Sequence, residues 1–555
     1  MTSMTNGTNA RKTLMLRSGA APPRCLCWYD PTPVSSLDQM VRRCCALGED
    51  DYLLCEDGGL PVALSSSMPS GIVLHVERVP QAASVEAVAA AAASNLPAPS
   101  ADAVVVIDPI STGAVLAHAA VHQARLRAIC VWSEVVPIEL RAFVAKGLGV
   151  TYSGVVQHEK GELLKTVAKV RAVGIRVAAV MVGCETGVLL GDQLSEALGC
   201  RTNGTAKSPL RRNKFSQMEA VRAAKLNACG QELAHSKADV EAFLASQKPA
   251  TAFKAVVKPV EGAGSDGVFI CDSPAQVRSA FSALEGTKNV LGLDNYAVLL
   301  QEFLKGEEYV VDTVSRDGVH KCVAIWKYDK RIFNGAPVVY FGMRLLPVDA
   351  EPELKQMVQY TFDVLDALDI KHGAMHSEIK LEERGPVLVE VNCRLHGGEG
   401  TWAPMAERCI GYSAVTAMLD AYLDPAAFAA LPSMPGHFRA HAMEAKLRSA
   451  VEGILTQIDE TRWAEITSLS SFVSAMVTVA EGKPISKTVD AVTASGNINL
   501  VNTDKVQLEA DYQRLHELVD GLFTAVPESS YRKTHMSPRG AARPSVDPAE
   551  LPQSA

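Results

Sequence analysis

The chain has 555 residues, 48% hydrophobic and 21% charged, and its 54 Lys and Arg against 62 Asp and Glu give a formal net charge of −8. This length predicts about two to four domains, and the composition is that of an ordinary globular protein. The acidic balance argues against a nucleic-acid partner. No apolar run approaches the ~18 residues needed to cross a bilayer, so no membrane partner is expected.

Residues 1–100 show few interpretable patterns. A strand is predicted at 71–76 and a linker at 97–100. No acid precedes Asp30, which suggests either a disordered start or an organelle transit peptide, and the thirteen scattered cysteines contain no CxxC pair. Free thiols are typical of a reduced compartment, so we expect a cytoplasmic protein with a partly disordered N-terminal extension over residues 1–100.

Residues 101–207 alternate between strand and helix patterns. Apolar runs typical of buried parallel strands occur at 103–107, 128–132 and 177–182. The alternation predicts an open α/β domain. Ligands of such domains lie beyond the carboxyl ends of the strands, which places the turns 108–113 and 183–187 at a candidate site.

The pattern changes near residue 211. Helices are predicted at 216–229, 237–246 and 352–368, and strands at 253–270, 297–304, 308–314 and 321–327. We expect residues 208–430 to form one domain, with a lid over about 214–300. Residues 431–526 are expected to form a C-terminal α+β subdomain, and residues 527–555 a disordered tail.

The most informative stretch is 376–392, where polar and apolar residues alternate on both sides of a turn. A three-residue loop at 383–385 predicts a hairpin in which Glu378 faces Glu390. Leu388 is the exception to the alternation. Opposed carboxylates destabilise a hairpin unless a cation lies between them or one has a raised pKa.

Asn392, opposite His376 in this register, adds an amide oxygen to the carboxylates. Such an all-oxygen set is typical of Mg²⁺ sites with positions left open for phosphate oxygens. Arg394 points to the same face, and the glycine-rich loop 396–400 brings main chain close. A solvated polar face on an edge hairpin is the alternative interpretation.

A second motif matches the pattern G-x-G-x-x-G, with its glycines at Gly262, Gly264 and Gly267. A dinucleotide fingerprint must open a helix, but residues 268–271 continue as a strand, which disfavours a Rossmann site. The context instead predicts a hairpin whose tip, including Ser265, offers backbone N–H groups to phosphates beside Lys258. A purely structural hairpin tip is the alternative.

Taken in order, these motifs resemble the ATP-grasp superfamily, specifically its carboxylate–amine ligases of the L-amino-acid (dipeptide) ligase type. The resemblance covers roughly residues 100–525. It is carried by Arg212-Asn213-Lys214-Phe215, Val257-Lys258-Pro259 with the glycine loop, the stretch 301–309, and the His376-Ser377-Glu378 and Glu390-Val391-Asn392-Cys393-Arg394 pair. It implies an ATP-grasp fold, α/β and α+β in class, with an N-terminal open α/β (pre-ATP-grasp) domain.

The resemblance also implies roles for individual residues. Lys214 and Lys258 would reach the ATP phosphates, and Arg394 would stabilise an acyl-phosphate and the tetrahedral intermediate. Adenine and ribose would be contacted by Gln301, Glu302, Leu304 and Glu308. Two Mg²⁺ (or Mn²⁺) ions would be held by Glu378, Glu390 and Asn392.

Other candidates rest on position. Lys330 and Arg331 lie in a basic, aromatic stretch that could line the phosphate or carboxylate pocket, with an exposed strand end as the alternative. Glu185 is a candidate for holding an α-amino group. The remaining substrate-binding candidates are His376, His396 and Gly397.

The implied activity is ATP-dependent joining of an amino acid, or a similar carboxylate, to an amine or second amino acid through an acyl-phosphate, releasing ADP and phosphate. The expected partners are these small molecules, and a homodimer is the common family pattern. Two alternatives remain open. One is an ATP-grasp ligase or carboxylase acting on another acid, and the other is an ATP-binding regulatory protein without turnover.

Overall fold

The computed structural model describes residues 102–136, 150–247, 253–262, 267–288 and 294–535, with only the backbone at 532–535, together with residues 41 and 141 and the backbone of five strands before residue 79. Those strands form one sheet in the order β2-β1-β5-β3-β4, in which β1 and β5 are parallel. Their bounds are β1 (Arg11–Arg17), β2 (Arg24–Tyr29), β3 (Tyr52–Cys55), β4 (Pro61–Val62) and β5 (Ile72–Arg78). The predicted strand at 71–76 corresponds to β5.

The next sheet is parallel throughout and has the order β8-β7-β6-β9. Its elements are β6 (Asp102–Ile107), α1 (Thr112–His122), β7 (Arg127–Trp132), β8 (Gly154–Gln157), α2 (Leu163–Ala172), β9 (Arg176–Val182) and α3 (Val188–Leu198). The central strand β6 is fully buried from residue 103 to 107, as its continuous apolar run predicts. The predicted open α/β arrangement is confirmed.

A four-stranded antiparallel sheet follows, with the order β10-β13-β11-β12. Its elements are α4 (Lys214–Ala223), β10 (Gln231–Ala234), α5 (Lys237–Ser246), β11 (Ala255–Pro259), β12 (Phe269–Cys271), α6 (Pro274–Leu284) and β13 (Val298–Glu302). The helix α4 begins earlier than predicted because the Asn213 side chain accepts the Ser216 N–H at 2.9 Å and caps it. Strands β11 and β12 pair as the hairpin that flanks the glycine loop.

An eight-stranded antiparallel sheet, in the order β18-β17-β14-β15-β16-β19-β23-β21, forms the centre of the molecule. A three-stranded sheet, β22-β20-β24, lies beside it. Their strands are β14 (Glu307–Arg316), β15 (Val319–Phe333), β16 (Ala336–Leu345), β17 (Gly373–Glu382), β18 (Gly385–Asn392), β19 (His441–Lys446), β20 (Gly453–Ile458), β21 (Phe472–Val477), β22 (Pro484–Ile485), β23 (Gly496–Asn502) and β24 (Phe523–Val526).

The accompanying helices are α7 (Leu354–Ala367), α8 (Ala403–Ile410), α9 (Ala414–Leu423), α10 (Pro425–Ala430), α11 (Glu460–Ser468), α12 (Lys505–Val519) and α13 (Glu528–His535). Short 3₁₀ turns lie at Glu185–Gly187, Ser208–Arg211 and Gly398–Gly400. Because β19, β21 and β23 extend the large sheet, residues 441–502 share a sheet with residues 307–392. The helix α13 lies in the segment expected to be a disordered tail, whose residues 536–555 are outside the described residues.

The β17–β18 hairpin has the predicted pairing at its functional end, where Glu378 lies opposite Glu390. The predicted three-residue loop is wrong, since Glu382 pairs with Gly385 and leaves two residues in the turn. A β-bulge after Glu378 absorbs the difference. The bulge turns Leu388 into the core, where it is fully buried, and so explains the break in alternation.

The two faces of the large sheet serve different purposes. Ile379 and Leu388 pack with residues of α7 in one core cluster, whereas Trp326 belongs to the cluster on the other face, with α1 and α9. Glu378 lies on the Trp326 face, because both residues pair directly with Val310. Among the described helices, none is both long and apolar enough to span a membrane.

Candidate active site

A cavity of about 610 Å³ lies between the four-stranded sheet and the eight-stranded sheet. Strands β11 to β18 contribute most of its lining, with α4 and the loop at residues 489–490. Twelve residues predicted from the sequence line it: Lys214, Lys258, Gly262, Gln301, Glu302, Leu304, Glu308, Lys330, Glu378, Glu390, Asn392 and Arg394.

The lining from the four-stranded sheet is mainly apolar. Val256 and Ile270 come from β11 and β12, and Phe303 and Leu304 lie in the segment that follows β13. Gln301 is held within the sheet, where its amide donates to a neighbouring side chain. Apolar walls beside an exposed strand end suit a planar ring, which is the usual character of a nucleotide base site.

Two lysines meet the hairpin carboxylates. Lys214 Nζ lies 2.6 Å from Glu390 Oε2 and donates to the Gly262 carbonyl at 3.2 Å. Lys258 is only 6% exposed. Burial and the nearby Lys214 ammonium lower the pKa of Lys258. Lys214 therefore places its positive charge directly against the hairpin.

Both opposed carboxyl groups are held ionised. Burial alone would raise the pKa of Glu390, but the Lys214 and Lys258 ammonium groups outweigh it and lower the pKa. Burial opposes ionisation of Glu378 too, but the hydrogen bond and charge of His376 lower its pKa to about 2. The hydrogen bonds with Asp312 and Glu378 overcome burial and raise the pKa of His376 to about 9.

Arg394 and Asn392 extend this array. Asn392 Nδ2 donates to Glu390 Oε1 at 3.2 Å, and Arg394 Nη2 donates to Asn392 Oδ1 at 3.0 Å. Arg394 Nε lies 3.1 Å from Glu185 Oε2, and Arg212 Nη1 lies 3.3 Å from Glu185 Oε1. The Glu185 carboxylate thus lies between two guanidinium groups, and its contact with an α-amino group stays a prediction.

Two turns of the parallel sheet bring Glu185 to this point. A Cβ on Gly113 would lie 2.6 Å from the Gly183 Cα, so the close approach of the turns requires glycine. The buried Asp108 carboxylate accepts from Thr186 Oγ1 at 2.6 Å. Burial raises the pKa of Asp108 despite this bond. The turn that carries Glu185 is therefore fixed on both sides.

Lys330 projects from β15 into the cavity and forms an ion pair with Glu308. Its Nζ lies 4.3 Å from the ring centroid of Tyr340 and 4.7 Å from that of Tyr328. Burial opposes the ammonium charge, but Tyr340 and Glu308 raise the pKa of Lys330. Glu308 also lies 3.6 Å from Lys380 Nζ. A ribose contact by Glu308 stays a prediction.

Arg331 does not reach the cavity, which corrects the expectation that it lines a phosphate or carboxylate pocket. Adjacent residues of a strand point to opposite faces. The Arg331 guanidinium bonds Asp329, with 2.6 Å between Nη2 and Oδ2, and lies 4.6 Å from the Phe341 ring centroid.

Five other predicted residues lie outside the cavity lining: Glu185, Gly267, His376, His396 and Gly397. Gly267 has a φ of +67° and packs against Pro259 at the base of its hairpin. The Gly397 carbonyl accepts from Trp402 Nε1 at 2.8 Å, and both histidines are buried. Gly264 and Ser265 are outside the described residues.

Tyr340 and Lys380 in the cavity lining, and Asp312 behind it, were not predicted from the sequence. Asp312 carried a signal, since it is a carboxylate between Val311 and Thr313 in an otherwise apolar part of β14. Such a residue needs a buried partner. Lys380 carried a weaker one, since it lies two residues after Glu378 and alternation places it on the same face of the strand. Tyr340 carried none that distinguished it from other aromatic residues of the strands.

The hairpin residues fit a divalent cation. Glu378 and Glu390 lie opposite each other and are ionised, and the Asn392 side chain adds an amide oxygen beside Glu390. Together they offer a set of oxygen ligands of the kind that hard cations prefer. Lys214 supplies positive charge beside Glu390. The arrangement is able to hold a metal–phosphate group between carboxylates and ammonium groups.

Comparison with known proteins assigns this region. Residues 251–402 match the ATP-grasp_4 family model, an ATP-grasp domain. The chain contains an ATP-grasp domain. The matched range includes the glycine hairpin with Lys258 on β11, the strands β17 and β18 that carry the two carboxylates, and the loop that follows Arg394.

The relatives are similar over parts of their length. The chain is 34% identical over 253 residues to dapdiamide A synthase of Enterobacter agglomerans, which covers 45% of this chain and 58% of that protein. It is 32% identical over 173 residues to carnosine synthase 1 of Homo sapiens, covering 29% of this chain and 20% of that protein. The matches thus span less than two thirds of either relative.

The fold extends beyond the matched domain. The crystal structure of an L-amino acid ligase from Bacillus licheniformis superposes with a TM-score of 0.60 at 17% identity, covering 78% of this chain and 100% of that chain. At this identity the likeness concerns the fold. The ATP-grasp fold expected from the sequence is confirmed.

Proposed function

We propose that this ATP-grasp protein is an ATP-dependent carboxylate–amine ligase. It would join an amino acid, or a similar carboxylate, to an amine or a second amino acid through an acyl-phosphate, releasing ADP and phosphate. The observation that carries the proposal is the placement of Glu378 and Glu390 in one cavity with Lys214, Lys258 and Arg394. Relatives named as a dapdiamide synthase, a carnosine synthase and an L-amino acid ligase support it.

In this proposal the apolar part of the cavity takes the adenine, and Glu308 the ribose hydroxyls. Lys214 and Lys258 face the phosphates. Lys214 would exchange its 2.6 Å contact with Glu390 for a phosphate oxygen when the nucleotide binds. Its position at the start of α4 suits that exchange, since the positive end of the helix dipole also favours an anion there.

The cofactor in this proposal is Mg²⁺ (or Mn²⁺), with two ions held by Glu378, Glu390 and Asn392. When bound, such ions neutralise charge on the transferring phosphoryl group. The protein would hold both carboxylates ionised for this purpose, since the ammonium groups and His376 lower their pKa values.

The proposed reaction has two steps. The substrate carboxylate attacks the γ-phosphorus of ATP, and the bond between this phosphorus and the oxygen that bridges it to the β-phosphorus breaks. An acyl-phosphate and ADP form. The amine then attacks the acyl carbon, loses a proton, and expels phosphate. Arg394 would stabilise the oxyanion of the second step, while the Glu185 carboxylate contacts its guanidinium at 3.1 Å.

We further propose that the partners are small molecules, with no nucleic acid or membrane among them. A cytoplasmic location and a homodimer complete the proposal. The dimer is tested by analytical ultracentrifugation of the full chain.

The decisive experiment measures phosphate release from ATP and Mg²⁺ with amino acids supplied singly and in pairs, and follows the products by mass spectrometry. Release that requires two amino acids, with a product lighter by one water than their sum, supports the ligase. Release with other carboxylates would favour the ligase or carboxylase of a different acid. Tight ATP binding without release in any mixture would favour a regulatory protein.

A further inference from the structure

A buried carboxylate, Asp312, lies beneath the carboxylate hairpin. It projects from β14 directly opposite His376 on β17 and is 1% exposed. Its Oδ1 lies 3.1 Å from His376 Nδ1, and its Oδ2 lies 3.1 Å from His396 Nδ1. Trp326 Nε1 donates to Oδ2 at 2.9 Å. Both oxygens are engaged by rings from three separate segments, so the carboxylate cannot turn without breaking one of these bonds.

The His376 ring connects this carboxylate to the cavity. While Nδ1 faces Asp312, Nε2 lies 3.4 Å from Glu378 Oε1. The ring has little room to move, because its centroid is 4.2 Å from that of His396, which in turn stacks on Trp402 at 5.5 Å. Asp312 therefore sets the ring orientation of His376, and that orientation determines which atom meets Glu378.

We infer that Asp312 is a positioning residue, which acts through His376 to hold the Glu378 carboxylate in the orientation that receives a divalent cation. The inference rests on the proposed function, in which Glu378 is a metal ligand. Asp312 itself lines no part of the cavity. Partners that orient the ligands of a metal site typically contribute 10–100-fold in metal affinity or activity.

The same three residues have a composition that also suits a metal. The candidate ligand atoms of Asp312, His376 and His396 all lie within 4.8 Å of one another. The Nδ1 atoms of both histidines, however, lie at hydrogen-bond distance from the Asp312 oxygens, and the Trp326 N–H donates to one of those oxygens as well. This arrangement favours a hydrogen-bonded carboxylate over a zinc site, in which ligands surround the ion at about 2.0–2.2 Å.

The test measures Mn²⁺ binding to the full chain in the presence of ATP, from the electron paramagnetic resonance signal of free Mn²⁺. Asp312→Asn replaces an acceptor with an amide N–H. His376→Asn retains a donor near Asp312 but has no atom that reaches Glu378. We expect each variant to bind Mn²⁺ at least tenfold more weakly. The double variant should bind about as weakly as either single variant, because both break the same connection.

A matched control is Asp511→Asn in α12. Asp511 is 5% exposed and accepts the Ser471 N–H and the Ser470 hydroxyl, both at 2.9 Å. It should lose thermal stability as Asp312→Asn does, yet bind Mn²⁺ within about twofold of the parent chain. A purely structural role for Asp312 would give the two variants the same Mn²⁺ affinity.

The outcomes separate this inference from the proposed function. Normal Mn²⁺ affinity in Asp312→Asn and His376→Asn, with weakened binding in Glu378→Gln, overturns the positioning role and leaves the metal site standing. Normal affinity in Glu378→Gln overturns the metal site itself. One equivalent of Zn²⁺ retained by the parent chain and lost in Asp312→Asn would show that the cluster is itself a metal site. If Asp312→Asn does not fold, His376→Asn decides the question.

Discussion

Two hairpins of the eight-stranded sheet line the same cavity with opposite charges. The β17–β18 hairpin presents Glu378 and Glu390 directly opposite each other, and cations from elsewhere in the chain neutralise them. The β15–β16 hairpin presents Lys330 between two tyrosine rings, and Glu308 pairs with it. In the proposed function the first hairpin exchanges a cation, Lys214, for the metal and phosphate, whereas the second keeps Lys330 paired with Glu308 and between the two rings.

The difference shows in what each hairpin packs against. Arg331, beside Lys330, turns to the C-terminal region, where the Arg448 guanidinium lies 3.8 Å from the Phe341 ring centroid. The β15–β16 hairpin is thus anchored on its outer side, and β17–β18 is anchored through Ile379 against α7. Removing a charge from the first hairpin should therefore abolish turnover, and removing one from the second should reduce it.

The largest effect is expected at Glu390. Glu390→Gln removes one of the two opposed charges and leaves Lys214 without its partner, so we expect kcat/KM for ligation to fall by at least about 10³-fold, or ~4 kcal/mol. Phosphate release with saturating ATP measures it. Glu383→Gln, at the exposed turn of the same hairpin, is the matched control and should remain within about twofold. Near-normal turnover in Glu390→Gln would refute the assigned role.

Lys330 and Arg331 provide the second test, because they are adjacent in sequence, carry the same charge and lie on opposite faces of β15. Lys330→Met removes a cavity cation and should lower kcat/KM by about 10–100-fold. Arg331→Met removes a guanidinium that pairs with Asp329 and should leave kcat/KM within about twofold. Equal losses in the two variants would show that the outer face of the hairpin matters as much as the cavity face.

The anchor of the β15–β16 hairpin predicts an acid-sensitive stability. Burial and the Arg448 charge lower the pKa of His516 to about 3, and its Nδ1 accepts from Arg448 Nη1 at 2.6 Å. In the unfolded chain this imidazole binds a proton near pH 6.5, whereas in the folded chain it stays neutral down to about pH 3. The free energy of unfolding is therefore unaffected by His516 above pH 6.5 and declines as the pH falls toward 3. At pH 5 this lowers the free energy of unfolding by about 2 kcal/mol.

His516→Gln should therefore flatten the fall in the thermal midpoint between pH 7 and pH 5, while the exposed His437→Gln should follow the parent chain. A parallel decline in all three proteins would contradict the buried neutral imidazole. The comparison uses differences between variants, which removes the contribution of the carboxyl groups that titrate over the same range.

The predictable part of this site follows from local pairing. A turn and a period of two predict which residues of a hairpin face each other, so the opposition of Glu378 and Glu390 was accessible before the structure. The bulge after Glu378 could not be predicted. It adds one residue to β18 and the turn has one residue fewer, so the pairing at the functional end is the same with or without it.

Contacts between distant segments were not predictable from the sequence. Glu185 meets Arg394 across 209 positions, and nothing in the composition of either segment indicates the pair. The joining of β19 and β23 to the central sheet is of the same kind, since alternation predicts a strand and not its neighbour. Asp312 is intermediate, because a buried acid in a strand indicates a partner without identifying it.

The smallest effect is expected at Tyr340, and it tests what the second hairpin adds to its cation. A lysine ammonium over an aromatic face gains about 0.5–2 kcal/mol. Tyr340→Leu should therefore lower kcat/KM by about fivefold, and Tyr340→Phe, which keeps the ring 4.3 Å from Lys330 Nζ, should stay within about twofold. A loss in Tyr340→Phe equal to that in Tyr340→Leu would show that the Tyr340 hydroxyl, and not the face of its ring, supports Lys330. Lys330 would then depend on a polar contact that a ligand can replace, like the contact between Lys214 and Glu390 in the first hairpin.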